Sequence, residues 1–229
     1  MAFTLQWLAL EVKYLDRSRS FYERVLDCSL TERNPDELCL SAGETDLILR
    51  RPNGVPRGGV HTHFAFSTPA DAYEEWYDRL ESHVSLTEAT FGSARSLYFD
   101  DPDDHCVEIG QQDVAETESL LCGIFEVVLE VTDLERALGF YTDLGFTVVD
   151  RGTDRRRCRL SGGTFDLELW EPHLGIADAR GGCHVDLGIE LSDGDRKATI
   201  ESVEDQATVG HTNDNFRLID PDGHRLTLI

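Results

Sequence analysis

One stretch of this sequence is written twice, and that repetition limits the possible folds more than any other feature. Leu10-Glu11-Val12-x-x-Leu15-Asp16-Arg17-x-x-x-Phe21-Tyr22 stands 119 residues before Leu129-Glu130-Val131-x-x-Leu134-Glu135-Arg136-x-x-x-Phe140-Tyr141. Asp101-Pro102-Asp103-Asp104-His105 stands 119 residues before Asp220-Pro221-Asp222-Gly223-His224. Two separate anchors at one offset mark an internal duplication. Between them, Gly58-Gly59-Val60-His61 matches Gly181-Gly182-Cys183-His184 at an offset of 123, so the second copy gains four residues and later loses four. A repeat this long is domain-sized, which argues for a fused pair and against a solenoid. The polar stretch Gln111 to Ser119 lacks apolar periodicity and forms the seam. The expected organisation is a first domain at 1–112, a linker at 113–120 and a second domain at 121–229.

Each copy alternates between the period of a strand and that of a helix. Leu5–Val12 reads as a strand, followed by a helix opening at Asp16 with Phe21, Val25 and Leu26 on its apolar face. Short strands are expected near Ser29–Glu32, Glu37–Ser41 and Asp46–Arg50, then a Gly/Pro-rich loop from Pro52 to Gly59. The order then recurs: strand His61–Ser67, helix Pro69–Ser82 and three strands ending at Cys106–Gly110. The fold class is therefore α+β, with four βαβββ modules, two in each half.

The 229 residues are 40% apolar, enough to bury a core. Their formal charge of −23, from 44 acidic and 21 basic residues, repels nucleic acid and anionic membranes as partners. Acidic runs such as Asp100–Asp104 and Asp178–Arg180 read as solvated faces, and the whole composition suits a halophile's cytoplasmic protein. No apolar run is long enough to span a membrane, and the N-terminus has no signal-peptide pattern. Six cysteines without CxxC spacing read as free thiols in a reducing cytosol.

The module order, the [LV]-x-x-L-[DE]-R-x-x-x-F-Y segment and the closing Y-F-x-D-P-D-x-H-x-x-E resemble the vicinal oxygen chelate superfamily. That group includes glyoxalase I, bleomycin-resistance proteins and extradiol dioxygenases. The resemblance covers nearly the whole chain and implies curled mixed sheets, with paired modules closing around one divalent metal. It implies ligands on the first and last strands of each paired module. Strand alternation then phases those positions. Leu8, Leu10 and Val12 face the helix, leaving Trp7, Ala9 and Glu11 toward the cleft. Phe64 and Phe66 face the helix, leaving His61, His63 and Ala65 inward. Val107 and Ile109 face the helix, leaving Glu108 inward.

Within each half the ligand sets look broken. The first offers Trp7, Ile48, His63 and Glu108, and the second offers Glu126, Glu168, Asp186 and Thr227. Pairing modules across the halves, as some glyoxalases do, sorts them differently. One cleft receives His63, Glu108, Glu126 and Glu168. The other receives Trp7, Ile48, Asp186 and Thr227. The first set suits octahedral Ni, Co, Zn, Mn or Fe in the divalent state.

By this resemblance the chain is expected to be a glyoxalase I-like lyase or isomerase. Its substrate would be small, with vicinal oxygens, and would react through a metal-stabilised enediolate, with Glu108 or Glu126 as the base. An extradiol catechol dioxygenase is one alternative, although its upstream histidine position is Phe91 here, and the half carrying His211 closes with Thr227. A metal-free ligand-binding or resistance protein is the other. His61 and His184 are expected to brace a strand, and His105 and His224 to be solvated. Trp7 and Trp170 are expected to pack the barrels, with a place lining the cleft as the alternative for either. Either a monomer or a homodimer would serve.

Overall fold

A computed structural model describes residues 2–52, 61–114, 120–153, 155–172, 184–191, 196–212 and 215–229. The first module comprises β1 (Phe3–Glu11), α1 (Leu15–Val25), β2 (Ser29–Arg33), β3 (Glu37–Ala42) and β4 (Thr45–Arg50). The second comprises β5 (His61–Pro69), α2 (Tyr73–Leu80), β6 (Thr87–Phe91), β7 (Ala94–Asp100) and β8 (Cys106–Gln112). The third comprises β9 (Gly123–Glu130), α3 (Leu134–Leu144), β10 (Thr147–Arg151), β11 (Arg157–Ser161) and β12 (Asp166–Trp170). The fourth comprises β13 (His184–Leu191), α4 (Arg196–Glu201), β14 (Thr208–Thr212), β15 (Asn215–Ile219) and β16 (Arg225–Leu228). Four modules of one strand, one helix and three strands match the expected α+β class.

The strands form two eight-stranded sheets, ordered β14-β15-β16-β13-β1-β4-β3-β2 and β10-β11-β12-β9-β5-β8-β7-β6. Each sheet therefore takes one module from each half, which is the crossed arrangement. At the centre of each sheet two first strands meet antiparallel, β1 with β13 and β5 with β9. Each is flanked by the last strand of its own module in a parallel ladder.

Alternation decides which side chains the helices cover. Phe64, Phe66, Val107 and Ile109 are fully buried on one face, and their neighbours His63 and Glu108 occupy the other. In α1 the buried residues Leu15, Ser18, Tyr22 and Val25 fall at helical spacing. Asp133 caps α3 by accepting the Arg136 backbone N–H at 3.1 Å. Gly43 sits at φ +70° in the β3–β4 turn, where a Cβ would meet the Cys122 backbone at 2.3 Å. Its lack of a side chain lets this turn abut the chain that leads into β9.

The first aspartate of each Asp-Pro-Asp turn and the histidine that follows are buried, contrary to the solvated reading, while Asp100 and Asp104 are exposed as expected. Asp101, His105, Asp220 and His224 are each no more than 5% exposed. Asp101 Oδ1 accepts the backbone N–H groups of Asp103 and His105, and Oδ2 accepts the Tyr22 hydroxyl at 2.8 Å. Asp220 repeats this with Asp222, His224 and Tyr141. His105 Nε2 then reaches the Glu11 carbonyl at 2.8 Å, and His224 Nε2 reaches that of Glu130 at 2.8 Å. The motif ties the hairpin before each last strand to the helix and first strand of a module in the other sheet. Asp103 is likewise engaged, accepting the Lys13 N–H and the Ser18 hydroxyl. The run Asp178–Arg180, the linker core and the side chains of His61 and His184 lie outside the described residues.

Cys28, Cys39, Cys106, Cys122 and Cys158 are not joined in disulfides. Among the described residues, no helix is long and apolar enough to cross a membrane.

Candidate metal centre

Three adjacent strands place Glu108, Ala65 and Glu126 in one row. Ala65 is the register partner of Glu108 across the parallel β5–β8 ladder and of Glu126 across the antiparallel β5–β9 ladder. Strands lie about 4.8 Å apart, so the two glutamates flank a single small side chain and converge above it. His63 stands two residues earlier on β5, on the same face. One imidazole nitrogen and two carboxylate oxygens from these three residues lie within 4.8 Å of one another. Ligands at about 2.1 Å from a common ion can be at most about 4.2 Å apart, so movements of a few tenths of an ångström would close the shell.

The surroundings hold these groups differently. Glu108 is 4% exposed and receives hydrogen bonds from Ser96 and Tyr98. Its Oε2 is buried without a hydrogen bond of its own among the described residues and stands 3.2 Å from His63 Nε2. Burial would raise the Glu108 carboxyl, but His63, Ser96 and Tyr98 together hold it below the usual value. Glu126 is 2% exposed, and burial pushes it up to about 7. Arg159 opposes that rise, and the neighbouring Glu168 adds to it. An under-bonded buried carboxylate oxygen facing an imidazole nitrogen, with a second carboxylate beside them, fits a divalent cation.

Glu168 lines the same cavity but is held differently. Its carboxylate forms a close ion pair with Arg157, and the three-donor cluster does not include it. Arg159 likewise pairs with Glu126, on its donor side chain's nearest carboxylate. The cavity has a volume of about 560 Å³ and opens between β7, β8, β9, β11 and β12. Trp170 and Tyr98 stand edge-on to His63, with ring centroids 5.9 and 5.5 Å away. Trp170 thus borders this cavity as well as packing the sheet.

The sequence reading missed Arg155, Arg157 and Arg159, which all line the cavity. The signal was present in Arg155-Arg156-Arg157-Cys158-Arg159. On a strand, every second residue of that run shares a face. The alternate residue Arg156 is exposed and pairs with Glu171 at 2.6 Å.

The other cleft occupies the equivalent place in the other sheet, and its contents differ. Gly188 takes the position of Ala65, and its register partners are Trp7 and Thr227. A Cβ at Gly188 would meet the Trp7 indole at 2.1 Å. The indole therefore lies directly over this backbone, in the space that Ala65 leaves open in the first cleft. Asp186, where the first cleft has His63, accepts the Thr227 hydroxyl at 2.6 Å. Burial raises its carboxyl, opposed by Thr227, Arg217 and Arg50.

Residues 4–109 and 123–228 each match the family model described as Glyoxalase/Bleomycin resistance protein/Dioxygenase superfamily. The chain is similar to metallothiol transferase FosB of Staphylococcus saprophyticus, 27% identical over 113 residues, covering 46% of this chain and 75% of that protein. It is also similar to glutathione transferase FosA of Serratia marcescens, 29% identical over 111 residues, covering 46% and 79%. Its fold resembles the crystal structure of glyoxalase I from Zea mays, with a TM-score of 0.72 and 21% identity over 99% of this chain and 92% of that one.

Proposed function

The chain belongs to the Glyoxalase/Bleomycin resistance protein/Dioxygenase superfamily, and from that membership and its crossed cleft we propose a divalent-metal-dependent, glyoxalase I-like lyase or isomerase of a small vicinal-oxygen substrate. The observation that carries this reading is the convergence of His63, Glu108 and Glu126 within 4.8 Å beside a cavity of about 560 Å³. These three would hold the cation, and Glu168 would join them on release from Arg157. Both family domains, taken as 1–112 and 121–229 around a linker at 113–120, contribute to the centre. A monomer is then sufficient for the site, and the free cysteines suit a reducing cytoplasm.

A divalent ion there would polarise two substrate oxygens and acidify the adjoining C–H. The chain's own groups supply the rest. Glu126, paired with Arg159 and not fixed by Ser96 and Tyr98, would take a proton from carbon and return it. Glu108, held ionised by His63, Ser96 and Tyr98, stays a ligand. Tyr98, its own hydroxyl held protonated by burial and the Glu108 charge, fixes that carboxylate in place. Phe91 borders the cavity where an extradiol site would need a further histidine, which favours the lyase reading over ring cleavage.

The likeness to metallothiol transferase FosB supports a second reading of the same centre, thiol transfer to a substrate held by the metal. The test is metal content of the purified protein, its His63→Ala and Glu126→Ala variants, and turnover of hemithioacetals against thiol consumption. Loss of the metal in both variants together with hemithioacetal isomerisation is the expected result. Retention of metal by Glu126→Ala would overturn the crossed centre. Absence of divalent metal from the wild type would favour a metal-free binding protein instead.

A further inference from the structure

One wall of the cleft is basic in an otherwise strongly acidic molecule. The chain carries −23 overall, yet Arg155, Arg157 and Arg159 stand along one wall of the cavity. Four carboxylates line it as well: Glu108, Glu126, Glu168 and Asp150. With ionised carboxylates and a neutral imidazole, that lining carries one net negative charge. A divalent cation at His63, Glu108 and Glu126 would turn it to one net positive charge.

The arginines' present partners are among the groups that a cation would claim. Arg159 Nη2 donates to Glu126 Oε1 at 2.5 Å, and Arg157 holds Glu168. A cation at the cluster competes with Arg159 for the Glu126 carboxylate. A guanidinium half-buried in a cleft is costly to leave without an anion. Arg155 lies 4.4 Å from the Trp170 ring centroid, and the Trp170 Nε1–H is buried with no acceptor among the described residues. Guanidinium groups match oxyanions through paired N–H donors, and an unpaired indole N–H adds one more.

We propose that the Arg155–Arg157–Arg159 wall, with Trp170, binds an oxyanion of the substrate, making the substrate a small anionic compound held by arginines at one end and by the metal at the other. This rests on the metal-centre reading for the second attachment point only. The oxyanion is a tetrahedral one or a carboxylate, and both offer the oxygens that these donors require.

The test is calorimetric titration of the full chain at fixed ionic strength with sulfate as the tetrahedral probe and acetate as the planar one. Each titration is run without metal and with saturating Mn²⁺. At least one probe should bind, with higher affinity when Mn²⁺ is present. Arg155→Gln and Arg157→Gln should each weaken it by about tenfold or more, while Arg155→Lys restores part of the loss. Arg156→Gln, on the outward face, should leave binding unchanged, and Mn²⁺ affinity should stay the same in Arg155→Gln. The preferred probe assigns the oxyanion's shape. Failure of both probes to bind, or equal weakening by Arg156→Gln, would overturn the proposal. If the wild type takes up no Mn²⁺ but still binds a probe in an Arg155-dependent way, the arginine wall stands and the metal reading falls.

Discussion

Nε2 of His63 faces Oε2 of Glu108 at 3.2 Å, and that oxygen has no hydrogen bond among the described residues. Two electron-rich atoms at this distance share either a proton or a cation. Replacing Glu108 with Gln keeps the shape and removes the charge that a divalent ion needs. Divalent-metal affinity should fall by about 100-fold or more, while the far-ultraviolet circular dichroism stays unchanged. Unaltered affinity in Glu108→Gln would remove Glu108 from the centre.

Ala65 separates Glu108 from Glu126 in the row that β8, β5 and β9 share, and an ion held by both carboxylates would lie above its methyl group. Ala65→Leu should fill that place. Metal binding should be lost, with only a modest stability cost of about 1–3 kcal/mol from overpacking. Metal content and a denaturant melt on one preparation check both. Full occupancy in Ala65→Leu would place the ion elsewhere.

The pH dependence follows from Glu126. Its carboxyl is raised by burial to about 7. Metal binding needs the ionised form, so apparent affinity should fall by about tenfold between pH 8 and pH 6, with proton release on binding that an ordinary carboxylate would not give there. The sign for stability is the opposite. A raised carboxyl favours the folded state below its unfolded value near 4.5 and loses that contribution as pH climbs through about 7. Metal-free Glu126→Gln should therefore melt higher than wild type at pH 8 and about level with it at pH 4. Buffers of different ionisation enthalpy in calorimetry count the released protons.

His105 and His224 each bridge to a strand carbonyl and are almost fully buried. His105→Ala removes one such bridge, leaves a cavity and strips a partner from the Glu11 carbonyl. Unfolding free energy should drop by about 2–4 kcal/mol. A urea melt showing less than about 0.5 kcal/mol would mean that the Asp-Pro-Asp-x-His turn is not a structural lock.

The second cleft offers a constructive test. Trp7 covers Gly188, and Thr227 bonds to Asp186. Exchanging Trp7 and Thr227 for glutamate would present Asp186 and two carboxylates around an open glycine. The double variant should bind a second divalent ion, seen as doubled metal stoichiometry. A single ion per chain would mean that more than the indole closes that cleft.

The order of strands and helices was legible because apolar residues recur at strand and helix periods, and the crossing of halves was an expectation from the family resemblance, which set the candidate ligands His63, Glu108, Glu126 and Glu168 on one side of the partition. His105 and His224 were misread because a histidine inside an acidic turn looks wet. Its partner carbonyl lies 94 residues away, and nothing local announces it. The arginines were missed for a related reason. Arg155 to Arg159 reads as surface charge until β11 is known to lie beside β12, turning alternate residues toward Glu168. Glu168 itself was placed in the right cleft, but its ion pair with Arg157 depends on side-chain reach that alternation does not encode.

The crossing of modules also alters what the duplication can pass on. Each cleft takes one module from each copy, so the proposed centre draws on both. Damage at Trp7 or Thr227 burdens only the cleft that those two share. One centre could thus be given up by changes in both copies while the other stayed whole. The two halves are thus unequal: His63 and Glu108 come from the first, Glu126 and Glu168 from the second, and neither half brings all four to one cleft.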